Sequence, residues 1–138
     1  MTIAVTHRRV SMGDVDQVLA CYGRYFYWMD DGLHELLCAV GHPVREILAA
    51  GFGFPVVDSR CVYEGPVDLD DVVRIETAVV ASRRSSFDMG HVMTVEGRRV
   101  ARSRTTHVWM TRHPQFRTLP LPDWLGAATD RPEQYEDV

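Results

Sequence analysis

Tyr22–Val40, YGRYFYWMDDGLHELLCAV, is the stretch on which the fold turns. Tyr25, Trp28, Met29, Leu33, Leu36, Leu37 and Val40 recur at i, i+3, i+4, i+8, i+11, i+12 and i+15, the spacing of one helical face. Asp30, Asp31, His34 and Glu35 fill the other sides. Gly41-His42-Pro43 stops the helix, because Gly suits the C-terminal cap and Pro cannot continue it. The spacing therefore predicts a helix over 22–40. A shorter one at about 43–50 follows, with Pro43 in its first turn.

Outward from this helix the period changes to two. Residues 2–12, rich in Ile, Val and Thr, read as a first strand. Further strands are expected at about 53–64, 72–83, 86–96 and 98–111, separated by Gly65-Pro66, Arg84-Ser85 and Glu96-Gly97. In the last, Ala101, Ser103, Thr105, His107 and Trp109 share one face. One long helix cannot bury its apolar stripe alone. The economical solution is an α+β arrangement in which an antiparallel sheet of about five strands wraps around it, the order and length of a hotdog fold. Residues 1–125 are expected to form this domain, and 126–138 a polar tail. The prolines after His113 suggest that the chain there is irregular and partly mobile.

The composition sets bounds on function. The chain has 138 residues, 46% hydrophobic and 25% charged, which suits one soluble domain. A net charge of −4 argues against a nucleic-acid-binding surface. No apolar run approaches the ~18 residues of a membrane span. The N-terminus lacks the order of a signal peptide, so a cytoplasmic location is expected. Cys21, Cys38 and Cys61 form no C-x-x-C and no zinc spacing, so neither a structural metal nor a cofactor is expected. Cys38 and Cys61 read as buried small hydrophobes. A nucleophilic Cys21 would need a partner His that no spacing supplies.

The chemistry concentrates at Gly13-Asp14-Val15-Asp16, where a strand gives way to the helix start. Carboxylates there lie near unpaired N–H groups and the positive end of the helix dipole. They serve either as caps or as ionised catalytic groups beside donors for a developing oxyanion. Tyr22, Tyr25, Trp28 and Phe54 are candidate linings of an acyl pocket, with Trp28 at core spacing. Gly51-Phe52-Gly53-Phe54 is a weak nucleotide signal, and His91 and His107 read as structural histidines.

Gly13-Asp14-Val15-Asp16, Tyr22-x-x-Tyr25-x-x-Trp28-Met29-Asp30, Asp70–Thr77 and Arg83-Arg84-Ser85-Ser86-Phe87 occur in this order and spacing. In these the chain resembles the hotdog-fold acyl-CoA thioesterases of the 4-hydroxybenzoyl-CoA thioesterase type, from about Val10 to Trp124. The resemblance implies a thioester hydrolase in which Asp16 is nucleophile or general base. A backbone N–H near Tyr22 then holds the thioester carbonyl. It implies that Arg83, Arg84 and Ser85 form a turn contacting the phosphates of CoA, with CoA present as part of the substrate. Ser85 stands where the family has a Lys. It implies a structural role for Asp30, and a homodimer or homotetramer whose pocket lies between subunits. Five residues, Gln17 to Cys21, separate Asp16 from Tyr22 where the family has six with a Gly: either the loop absorbs the missing residue and Asp16 keeps the catalytic place, or the count back from Tyr22 puts Val15 there, and the site lacks its carboxylate or needs Asp14 or Asp16 to swing in. The alternatives are hydrolysis of acyl-carrier-protein thioesters and a non-catalytic acyl-thioester binding protein. A hydratase or dehydratase would need an Asp/His pair at the pocket, which the sequence does not place.

Overall fold

The computed structural model describes residues 3–16, 19–130, 135 and 138. In chain order the elements are β1 (Ile3–Arg9), a 3-10 turn (Met12–Asp14), α1 (Arg24–Ala39), α2 (Val44–Ala49), β2 (Phe52–Gly53) and β3 (Val56–Tyr63). There follow β4 (Val72–Ser82), β5 (Ser86–Val95), β6 (Arg98–Val108), β7 (Met110–Thr111), β8 (Arg117–Thr118) and α3 (Asp123–Ala127). Five strands form one antiparallel sheet in the order β1-β4-β5-β6-β3, and β2-β7-β8 form a small second sheet.

Each boundary that differs from expectation has a local cause. The first strand ends at Arg9 because Met12–Asp14 wind into the 3-10 turn. Phe54-Pro55 divides the expected 53–64 strand in two, since Pro55 has no N–H for a ladder. The 98–111 strand breaks at Trp109, whose N–H leaves the ladder for the Ser85 carbonyl at 2.8 Å.

The helix α1 buries Tyr25, Trp28, Met29, Gly32, Leu33, Leu36 and Leu37 against one sheet face. Two apolar clusters meet along it. Leu36, Leu37, Val79, Phe87 and Met89 belong to one, and Trp28, Met29, Ile75, Met93 and Val100 to the other. The expected alternation in β6 holds from Ala101 on: Ala101, Ser103, Thr105, His107 and Trp109 are buried, while Arg102, Arg104, Thr106, Val108 and Met110 are half-buried. Gly32 is the point of closest approach. A Cβ there would overlap Thr77 Oγ1 and lie 3.3 Å from His91 Nδ1.

Two expectations are corrected. The chain after His113 is not merely irregular: it supplies β8 and α3, with Leu125 and Ala128 buried in the core. Beyond α3, Thr129 bridges Val79 and Asp130 N–H bonds the Val79 carbonyl at 2.6 Å. Tyr135 packs with Ala78, Val80 and Val92 on the outer sheet face, so β5 is buried on both sides. Gly90 makes the space, since a Cβ there would meet the Tyr135 ring at 2.7 Å. The segment is too short and proline-punctuated to show a period. Cys38, expected to be buried, is exposed on α1, outside the apolar stripe. Cys21 and Cys61 are half-buried, and burial pushes the Cys61 thiol up to about 11.

Candidate active site

The two carboxylates of the Gly-Asp-x-Asp stretch have opposite surroundings. Asp14 is 2% exposed. It accepts hydrogen bonds from Ser11 N–H at 2.9 Å and Ser11 Oγ at 3.2 Å, and pairs with Arg8 at 3.4 Å. Burial works to raise its pKa. The Ser11 bonds, with the charges of Arg8 and Arg24, outweigh that and hold it below the usual carboxylate value. Asp14 thus fixes the exit from β1, and its own carbonyl accepts Cys21 N–H at 2.7 Å.

Asp16 is exposed. Its N–H donates to the Leu19 carbonyl at 3.0 Å, and its Oδ1 accepts Leu19 N–H at 3.3 Å. A bridge between Val15 and Ala20 closes this hook, and Ala20 N–H anchors it to the Val67 carbonyl at 2.8 Å. Asp16 and Leu19 thus lie close together at the two ends of the shortened loop, and Gln17 and Val18 between them lie outside the described residues.

The helix starts immediately beyond. Gly23 is its N-cap and has no side chain to satisfy the first turn. Among the described residues the N–H groups of Tyr22 and Gly23 have no backbone partner, whereas Arg24 N–H bonds the Cys21 carbonyl at 3.0 Å. Tyr63 Oη donates to the Tyr22 carbonyl at 3.0 Å and pins this end of α1 to β3. Sequence reasoning missed Tyr63, because nothing in a strand pattern says what lies opposite it. The Tyr22 side chain is 72% exposed, while Tyr25 is buried edge-on against the Tyr63 ring with centroids 4.8 Å apart. Tyr22, Tyr25, Tyr63 and Pro66 border a cleft of about 400 Å³.

The other expected site residues lie elsewhere in the protomer. Arg9 pairs with Val72 at the start of β4, beside the Asp16 hook, while Arg83–Ser85 follow its last residue. The 11 residues of β4 put roughly 30 Å between these ends. Arg83 is held by Asp88 and by Ser86 Oγ at 2.8 Å, and Asp88 also binds Arg104 at 2.8 Å and Thr106 at 2.9 Å. Despite burial, these donors hold Asp88 below the usual carboxylate range. Arg84 is exposed, with no side-chain ion pair among the described residues, and lines a small depression with Ser85 and Thr118. Phe54 is half-buried and stacks 6.4 Å from Trp109 against the edge of the core, and its carbonyl accepts from His107 Nδ1 at 3.0 Å.

A second cavity, of about 260 Å³, lies beneath the middle of α1. It gathers Asp30, His91 and His107, a juxtaposition the sequence did not place. His107 is fully engaged. Its Nδ1 faces a carbonyl and so must carry the proton, which leaves Nε2 to accept from Thr105 Oγ1 at 2.9 Å. His91 Nδ1 pairs with Thr77 Oγ1 at 2.9 Å. Burial pushes His91 down to about 3, assisted by His107, and lowers His107 as well. Burial and the neighbouring Asp31 raise Asp30. Among the described residues no group of three or more His, Cys, Asp or Glu is placed to hold a metal. No helix among them is long and apolar enough to cross a membrane.

A profile of the thioesterase-like superfamily matches residues 10–129. The chain belongs to that superfamily. The BH1999 gentisyl-coenzyme A thioesterase is 30% identical and superimposes with a TM-score of 0.82 over 88% of this chain and 98% of its own. The 4-hydroxybenzoyl-CoA thioesterase of Pseudomonas sp. strain CBS-3 is 23% identical, with a TM-score of 0.80 over 91% and 98%. A 1,4-dihydroxy-2-naphthoyl-CoA thioesterase from Synechocystis, 18% identical, gives 0.82 over 91% and 94%. Superfamily membership bears out the hotdog fold and the enzyme class expected from the sequence, a thioester hydrolase.

Proposed function

We propose that the protein hydrolyses acyl-CoA thioesters at a site completed by two protomers. The observation that carries this is the Asp16 carboxylate, exposed on its hook beside a helix start whose first N–H groups have no backbone partner among the described residues, in a chain of this superfamily. The thioester carbonyl accepts from the Tyr22 and Gly23 N–H groups, where negative charge develops in the transition state. Asp16 attacks the carbonyl carbon to form a mixed anhydride, or removes a proton from the attacking water. In either course the C–S bond breaks and CoA leaves as its thiolate, which needs no strong general acid. Tyr22 contributes through its backbone, and Tyr25 walls the cleft.

The CoA phosphates need a second protomer. The edge strand β3 carries exposed Val56, Val57, Val62 and Tyr63, and its outer side has no strand neighbour among the described residues. Such an edge invites pairing with another strand. A two-fold antiparallel pairing of β3 with its copy sets the Val56 end of one protomer beside the Tyr63 end of the other. The Val56 end adjoins the Arg83–Ser85 turn through the Ser86–Val108 and Val56–His107 pairs. The Tyr63 end carries the Asp16 hook and the Tyr22 cleft. Arg84 of one copy thereby reaches the CoA bound at Asp16 of the other, with Ser85 beside it and Arg83 buttressed by Asp88.

Free-thiol release from a panel of aromatic and aliphatic acyl-CoAs, wild type beside Asp16→Asn, tests this. Turnover that vanishes in Asp16→Asn is the expected result. Release from carrier-protein thioesters alone would shift the substrate class. Binding with no release from either would leave an acyl-thioester binding protein. Asp30 with His91 and His107 also supplies the acid and imidazoles of a hydration site. The full engagement of His107 and the Thr77 bond to His91 disfavour that use.

A further inference from the structure

We infer that Tyr63 is a positioning residue for the reaction: its hydroxyl, bonded to the Tyr22 carbonyl, fixes the peptide whose Gly23 N–H meets the thioester oxygen. That role rests on the thioesterase reading above.

The first turn of α1 does not fix this peptide firmly by itself. Gly23 opens the helix with no side chain to cap it, and a glycine leaves the backbone a freedom that other residues lack. The bonds that close the turn are long: Tyr25 N–H reaches the Tyr22 carbonyl at 3.4 Å, and Phe26 N–H the Gly23 carbonyl at 3.3 Å. Tyr63 Oη donates to the same Tyr22 carbonyl at 3.0 Å, from a strand 41 residues further along the chain. The C=O and N–H of one trans peptide lie in one plane and point opposite ways. The Tyr22 oxygen and the Gly23 hydrogen share such a peptide, so a bond that holds the oxygen also holds the direction of the hydrogen. A donor on the oxygen polarises the peptide too, which makes its N–H a stronger donor to a developing oxyanion.

The hydroxyl is itself braced. The Tyr63 ring packs edge-on against buried Tyr25. The next residue, Glu64, donates its N–H to the Val100 carbonyl at 2.8 Å and pairs with Arg99 and Arg102. Burial, helped by Cys61, raises the Tyr63 hydroxyl above its ordinary value, so it keeps its proton and remains a donor. The ring alone would serve packing. Tyr63 is 44% exposed, and water can replace its hydroxyl on the carbonyl, so the bond adds little to stability. What water cannot replace is the fixed direction.

The test compares the wild type with Tyr63→Phe, which keeps the ring and removes the hydroxyl. Thiol release from acyl-CoAs gives kcat and KM. The infrared stretch of an isotope-labelled thioester carbonyl, bound to Asp16→Asn with and without Tyr63→Phe, reports the donor directly. Tyr63→Phe is expected to lower kcat roughly tenfold, a part of what a whole oxyanion donor contributes, with KM and melting temperature little changed. The bound carbonyl stretch should move toward its value in free solution. A fluorinated tyrosine placed at residue 63 keeps the ring and donates more strongly. It should move the stretch the other way, and decides the matter if Tyr63→Phe does not fold. Unchanged kcat and stretch, with thiol release intact, overturn the inference and leave the thioesterase reading standing. A lower melting temperature with an unchanged stretch makes the hydroxyl merely structural and overturns it as well. A stretch that depends on the hydroxyl, without thiol release from any ester, overturns the thioesterase reading instead. No binding of any ester overturns both.

Discussion

Two carboxylates two residues apart divide the work at the exit of β1. Asp14 is buried under Ser11 and Arg8, and Asp16 faces solvent on its hook. Asp14→Ala removes the acceptor of two Ser11 bonds and should cost about 1–3 kcal/mol in urea denaturation. Asp16→Asn should leave the unfolding midpoint within error while thiol release falls by at least ~100-fold. An equal loss of stability from both would refute this division. The same contrast separates the two arginines. Arg84→Ala is expected to raise KM for CoA esters several-fold with little change in kcat, the signature of lost uniform binding. Arg83→Ala removes a partner of buried Asp88 and should appear first as a lower melting temperature. The sequence already showed two acids at a helix start and a pair of arginines at a turn. It could not show which acid is buried or which arginine is tied down by an ion pair. That depends on Arg8 and Ser11 around Asp14, and on Asp88, held by Arg104 and Thr106, beside Arg83, all brought in by the sheet register.

The helix α1 was legible because seven side chains repeat a helical period, and the strands because theirs is two. Gly32 was not, because its role is set by what lies across from it. In an exposed helix Gly→Ala gains about 1 kcal/mol. At Gly32 the new Cβ would strike Thr77 Oγ1, so Gly32→Ala should lose about 1–3 kcal/mol by chemical denaturation. A stabilised variant would show the helix to be free to move off the sheet. The strand histidines add a pH dependence. Burial holds His91 far below its ordinary value of 6.5, at about 3, and lowers His107 in the same direction, so the unfolded chain takes up protons first as the pH falls. Between pH 6.5 and about 3 the unfolded state binds more protons, so stability falls as the pH falls through that window. His91→Gln should flatten this limb in denaturation series from pH 7 to 4. An unchanged slope would mean that the ring is protonated in the folded protein.

At the scale of the whole molecule, the Asp16 hook and the Arg84 turn stand at opposite ends of β4, roughly 30 Å apart. Sequence spacing offered no warning, since both matched one set of motifs. Only the register of β1 on β4 and of β4 on β5 shows the separation. If both ends serve one CoA ester, they come from different copies of the chain. Mixing makes that decisive. A subunit with Asp16→Asn keeps Arg84, and one with Arg84→Ala keeps Asp16. In a mixed dimer one of the two sites receives both native residues. Random reassortment of the two inactive or weakened variants should restore about a quarter of the wild-type kcat/KM, measured at low substrate after mild dissociation and remixing. If Asp16 and Arg84 served the same ester from one protomer, every site in the mixed dimer would lack one of them. No activity above the average of the parents would then return. A charge on the bare edge, Val57→Lys, should lower the sedimentation coefficient toward that of a monomer and abolish turnover together. An active monomer would place the whole reaction at the Tyr22 cleft and leave the Arg84 turn outside it.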